Sequence, residues 1–127
     1  MKLARWIYLA AALYGLAILI PGLFLEARVD PSGALLAHPE FYYGFYGSAL
    51  AWQVAFLLIA SDPVRFRPLM PVTFLEKLAF PASNIALYAM GRMTIDGPFI
   101  GGLIDLALCA LFVVAWLKTP RAAPAAP

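Results

Sequence analysis

Charge is what this chain has least of. Lysine, arginine, aspartate and glutamate supply 13% of its 127 residues, against about 25% in an average soluble domain. A surface so poor in charge cannot face water on every side, which excludes an ordinary soluble globule. Cysteine occurs once, as Cys109, so no disulfide can close within the chain. Histidine also occurs once, as His38, and one imidazole cannot build a His-rich zinc or haem cage. There is no Ser/His/Asp set, no metal-ligand cluster and no glycine-rich phosphate loop, so the expectation is a non-enzyme with no cofactor. His38 beside Glu40 reads as loop polarity. A net charge of +2 is too small to point to nucleic acid.

Apolar length is what the chain has in excess. Hydrophobic residues make up 64% of it and its mean hydropathy is +0.84. Four long apolar runs dominate, and what lies between them is too short to bury a core of its own. The expected fold is all-α: one integral membrane four-helix bundle over residues 1–119, with helices at about 6–25, 41–60, 72–90 and 99–117. Residues 120–127 read as a flexible Ala/Pro tail. The first run follows Lys2 and Arg5 as a signal peptide would. At about 19 residues it is longer than a signal-peptide core, and no small-x-small cleavage site follows, so it reads as a retained span.

The basic bridge Asp62-Pro63-Val64-Arg65-Phe66-Arg67-Pro68-Leu69-Met70-Pro71, closed by Glu76-Lys77, separates the second run from the third. Its prolines and arginines are expected to break the helix and lie on the charged face of a membrane. Lys2, Arg5, Arg65, Arg67, Lys77, Lys118 and Arg121 fall on the side shared by that bridge and both termini, while Arg28 and Arg92 fall on the other. This asymmetry predicts an N-in/C-in arrangement with Asp62, Arg65, Arg67, Glu76 and Lys77 in a cytoplasmic loop. There the arginines meet anionic headgroups, or form a docking site, while Asp62 caps or pairs locally.

Polar residues inside the apolar runs carry the functional signal, because each must find a partner or line a cavity. At the helical rise, Asp105 lies about 10 Å from the outer end of its helix, Asn84 about 9 Å and Tyr46 about 7 Å, with Tyr88 and Arg92 above them. Gln53 and Tyr14 share a deeper level, about 16 Å in. Lys77, Pro81, Asn84 and Tyr88 follow helical spacing along one face, as do Tyr42, Tyr46, Ala49 and Gln53, and Gly101, Asp105 and Cys109. The expectation is that Asp105, Asn84 and Tyr46 converge on an outer-leaflet cavity, where the carboxylate is protonated by desolvation, hydrogen-bonded to Asn84 or Tyr46, or paired with Arg92 reaching down. Asp105 serves there either as an interhelical hydrogen bond or as a ligand- or proton-binding group. Asn84 and Gln53 read first as amides joining helices. Gly44 with Ser48, and Gly47 with Ala51 and Ala55, have close-packing spacing. Pro81 should kink the third helix.

The runs Glu40-Phe41-Tyr42-Tyr43-Gly44-Phe45-Tyr46-Gly47, Ala51-Trp52-Gln53, Asp62 to Met70, Leu75-Glu76-Lys77-Leu78 and Ile104-Asp105-Leu106 resemble those of a group of small uncharacterised bacterial four-helix membrane proteins. The likeness spans about residues 38 to 118 and extends distantly to DoxX-like four-helix proteins. It implies a bacterial inner-membrane protein and carries over no activity. Two functions fit: an accessory module that holds a ligand, lipid or partner in its outer-leaflet pocket, or an oligomeric transporter of small molecules coupled to protons. Four-helix multidrug exporters share the size but carry a glutamate within their first helix. Here none occurs between Ile7 and Leu25, which favours the module. Membrane lipids, a second copy or another membrane protein are the expected partners.

Overall fold

The computed structural model describes residues 2–127, and all its regular structure is helical. Helix α1 runs Lys2–Gly22, α2 Pro39–Ser61, α3 Met70–Ala89 and α4 Gly97–Lys118, with single 3-10 turns at Glu26–Arg28 and Arg67–Leu69. Three of them, α1, α2 and α4, are long and apolar enough to cross a membrane. Helix α3 is interrupted by Thr73, Glu76, Lys77, Ser83 and Asn84 and falls short of that measure.

The helix bounds move for local reasons. Prolines near the starts of α2, α3 and α4 occupy positions whose N–H has no intrahelical partner. Pro71 therefore lies in the first turn of α3 instead of ending the bridge, and Glu76 and Lys77 lie well inside the helix, as residues of its span and not of the bridge. That corrects their assignment to a cytoplasmic loop. Asp96 caps α4, its Oδ1 accepting from Phe99 N at 3.1 Å. Helix α1 stops at Gly22, short of residue 25, where the chain passes into the 3-10 turn. Gly91, at φ 71°, ends α3: its N–H donates to Tyr88 O and that of Arg92 to Leu87 O, closing the last turn through a left-handed residue. Pro81 sits inside α3 without interrupting it.

At the end that carries both termini the four helices close tightly. Tyr8 stacks on Phe112 with ring centroids 4.2 Å apart, and Phe56 meets Phe112 edge-on at 5.1 Å. Ile59, Met70, Ala11, Ala12 and Ala115 fill the space around them. Thr73 Oγ1 donates to Met70 O at 2.6 Å, so at 2.9 Å it must accept the Tyr8 hydroxyl proton, and this buried pair ties α1 to α3.

Two arginines cap helix ends there. Arg5 donates to the carbonyls of Ala60 and Ser61 at 3.1 and 3.2 Å, closing the C-terminus of α2. Arg67 donates to Thr119 O at 2.7 Å and Trp116 O at 3.3 Å while its guanidinium lies 4.8 Å from the Trp116 ring centroid, closing α4. Replacing Arg67 by alanine is expected to cost about 1.5–3 kcal/mol, the worth of a hydrogen bond to a charged group. The check is an SDS-unfolding midpoint in mild detergent.

Toward the other end the fold opens. Helix α1 packs along α2, and α3 along α4, while the backbones of α2 and α3 stay apart and these two helices meet through side chains such as Phe45 and Phe80. The pairs meet through α1 and α4, so they diverge like two leaves hinged on the aromatic core. Outward, large apolar side chains such as Phe24, Phe41, Leu75 and Leu117 are exposed, as befits a surface solvated by lipid.

Candidate functional site: a cleft between two helix pairs

The divergence leaves a cavity of about 1060 Å³ between the α1–α2 and α3–α4 pairs. That is at the upper end of small-molecule sites, which run to about 1,000 Å³. Its walls are apolar and aromatic: Tyr14 from α1, Tyr42, Phe45, Tyr46 and Trp52 from α2, and Phe80 from α3. Phe45 and Phe80 are in contact, with ring centroids 5.6 Å apart, and bridge the two pairs at one wall of the cavity. Residues Leu25, Arg28 and Val29, just beyond α1, form part of the rim. Glu26 holds that segment, its Oε1 accepting from Leu36 N at 3.1 Å and its Oε2 from the Tyr43 hydroxyl at 2.8 Å. Further along the same loop, Ser32 donates to Asp30 Oδ1 from both its backbone N–H and its hydroxyl. Those two bonds hold the Asp30 carboxyl below the usual carboxylate range.

The deep end of the cavity is charged. Lys77, 4% exposed, places Nζ 3.2 Å from Asp105 Oδ1 and 3.6 Å from Glu76 Oε2, and 5.2 Å from the centroid of the Phe56 ring. Lysine's long stem explains the geometry. The Lys77 backbone lies about 10 Å along α3, and its side chain follows the helix inward to a carboxylate on α4 instead of reaching for water. Two carboxylates thus share one ammonium. Glu76 Oε2 is buried with no hydrogen-bond partner among the described residues, and so is Gln53 Oε1. The Gln53 amide lies against Gly15, where a Cβ would overlap it, and its Nε2 donates to Ala49 O at 2.9 Å.

Of the residues expected to form the pocket, Tyr46, Gln53 and Asp105 line the cavity, and the other three do not. Asn84 turns to α4 and donates to Pro98 O at 3.0 Å, so it joins two helices. Tyr88 is half exposed and packs on Phe99 with centroids 5.4 Å apart, and Arg92 is exposed at the surface. Lys77 takes the position against Asp105 that Arg92, Asn84 or Tyr46 was expected to fill. A signal for it existed, since its spacing already put it on the face of α3 that carries Asn84. Counting it among the interfacial cations hid the pairing.

The small residues of α2 are also reassigned. A Cβ at Gly44 or Gly47 would meet nothing within 4 Å, so neither is a contact point. Close approach occurs at Gly15, at Gly22 beneath the Tyr46 ring, and at Gly102, where a Cβ would lie 3.3 Å from Pro81 Cα. Tyr42 adds a hydroxyl donated to Gly22 O.

In the bridge, Asp62 Oδ1 accepts from Arg65 N at 3.2 Å, the local cap expected of it. Arg65 and Arg67, together with Arg121, Trp116 and two prolines, line a smaller cavity of about 460 Å³ at the closed end. The chain matches no protein-family model, no curated protein and no solved structure.

Proposed function

We propose that the protein is a four-span protein of the bacterial inner membrane, with both termini and the 62–70 bridge cytoplasmic, and that it is a binding module for an amphipathic small molecule or lipid. The observation that carries this reading is the open cleft with Lys77, Glu76 and Asp105 at its deep end. Ion groups at membrane depth cost several kcal/mol unless paired, so they are rare there and mark sites of function. A bundle held together for its own sake would instead close α2 on α3 and bury apolar side chains. Membership among small four-helix membrane proteins distantly like the DoxX group is part of the same proposal and brings no activity with it.

Four spans follow if α3 crosses with the rest. Its polar residues Lys77 and Asn84 face inward, which removes the objection its composition raises. Orientation is supported by the basic residues even without Lys77: Lys2, Arg5, Arg65, Arg67, Lys118 and Arg121 gather at one end against Arg28 and Arg92 at the other. Reporter fusions after Lys118 and within residues 28–38 are expected to report opposite sides of the membrane. The same side for both contradicts the arrangement.

The second reading, an oligomeric proton-coupled transporter, draws on the same buried carboxylates. Proteoliposomes with an imposed pH gradient separate the two. A module binds a lipophilic dye saturably and does not move it, whereas gradient-driven efflux that saturates with dye would favour the transporter.

A further inference from the structure

We infer that the cleft selects a cationic amphiphile, a protonated amine carried on a bulky apolar or aromatic body; the inference rests on the ligand-binding reading above. Charge balance is the first ground. The charged residues around the cavity are Arg28 and Lys77 against Glu76, Asp96 and Asp105, three carboxylates to two cations. Arg28 is exposed at the rim and Asp96 is committed to the N-terminus of α4, so the imbalance at depth is that of Glu76 and Asp105 against Lys77 alone.

Hydrogen bonding is the second ground, and through Gln53, which carries no charge, it is independent of the count. Among the described residues, two buried polar atoms beside the cleft have no hydrogen-bond partner and both are acceptors: Gln53 Oε1, and Glu76 Oε2, which has only the Lys77 ammonium at ion-pair distance, 3.6 Å. Buried acceptors left unmet cost free energy, and a ligand that brings N–H donors satisfies them where one that brings a carboxylate cannot. An ammonium does more, since a donor that carries charge makes the stronger bond to a carboxylate.

The walls supply the third ground. Tyr14, Tyr42, Phe45, Tyr46, Trp52 and Phe80 present aromatic surface around the path to the carboxylates. Ring faces attract cations and repel anions. Lys77 already lies beside one such ring, that of Phe56. A volume of about 1060 Å³ leaves room for an apolar body beyond the headgroup.

A proton on one carboxylate is the competing way to balance the charge, and a matched series of ligands separates the two. The full-length protein in phosphatidylcholine nanodiscs is titrated with 4,4-diphenylbutylamine, 4,4-diphenylbutan-1-ol and 4,4-diphenylbutanoate, which share a body and differ in one group. Binding is read by equilibrium dialysis against empty nanodiscs. The amine is expected to bind about tenfold more tightly than the alcohol, with the carboxylate weakest, and Glu76→Gln is expected to bring amine and alcohol together. Asp105→Asn serves the same comparison if Glu76→Gln does not fold. Equal binding of amine and alcohol to the wild type leaves the cleft a ligand site but overturns its cation selectivity. Binding of none of the three overturns both readings.

Discussion

Replacing Lys77 by methionine should destabilise the protein by about 3–5 kcal/mol, the cost of removing one partner from a buried ion pair. The expectation rests on burial more than on distance. The Lys77 side chain is 6% exposed and its partners Glu76 and Asp105 are 15% and 17% exposed, so water entering through the cleft replaces the ammonium only in part. Methionine matches the stem in length and fills much the same volume, which leaves charge as the main change. The helices α3 and α4 would then hold two carboxylates facing one another with no counter-charge. Adding Glu76→Gln and Asp105→Asn to the Lys77→Met protein removes both carboxylate charges, and most of the loss should be recovered. Lys77→Met alone, unfolding in SDS at the wild-type midpoint, would show that the ammonium lies in water. A triple variant no better than the single one would show that packing, not charge, is at stake.

Much of the framework is legible in the sequence because hydrocarbon length and turn chemistry are local properties. The apolar runs place four helices at about 6–25, 41–60, 72–90 and 99–117, and the structure keeps all four while moving their ends by a few residues. The positions that face inward are harder to read. Lipid is as apolar as a protein core, so a helix in a membrane need not advertise its buried face by hydrophobic contrast. Gly44 and Gly15 look alike in sequence, yet one meets nothing and the other receives the Gln53 amide. Asp105 stands out as a lone carboxylate in an apolar run, whereas its partner does not, because a lysine near a helix end is ordinarily read as interfacial. The cleft is beyond the reach of sequence reasoning. It arises because α2 and α3 diverge, and that depends on how the Tyr8–Phe112–Phe56 cluster and the Tyr8–Thr73 hydrogen bond set the two helix pairs at the closed end.

Filling the cleft should remove its ligand while leaving the bundle intact. Ala49 on α2 and Gly101 on α4 both line it, and neither belongs to the charged set or to the aromatic core. A Cβ at Gly101 would find only the Phe80 ring, at 3.8 Å, an ordinary contact, so a larger side chain there can turn into the open space. The double variant Ala49→Trp/Gly101→Phe thus projects two rings into the cavity from different walls. Small substitutions that merely roughen the surface would leave a cavity of this size usable, which is why two large side chains are needed. The measurement is native mass spectrometry of wild type and double variant, both purified from the same expressing membrane in mild detergent, with unfolding midpoints recorded alongside. A discrete small-molecule or lipid adduct on the wild type, absent from an equally stable double variant, is the expected result. Identical adducts on both proteins, or a wild type that retains nothing, would contradict the claim that the cleft between α2 and α3 is a binding site.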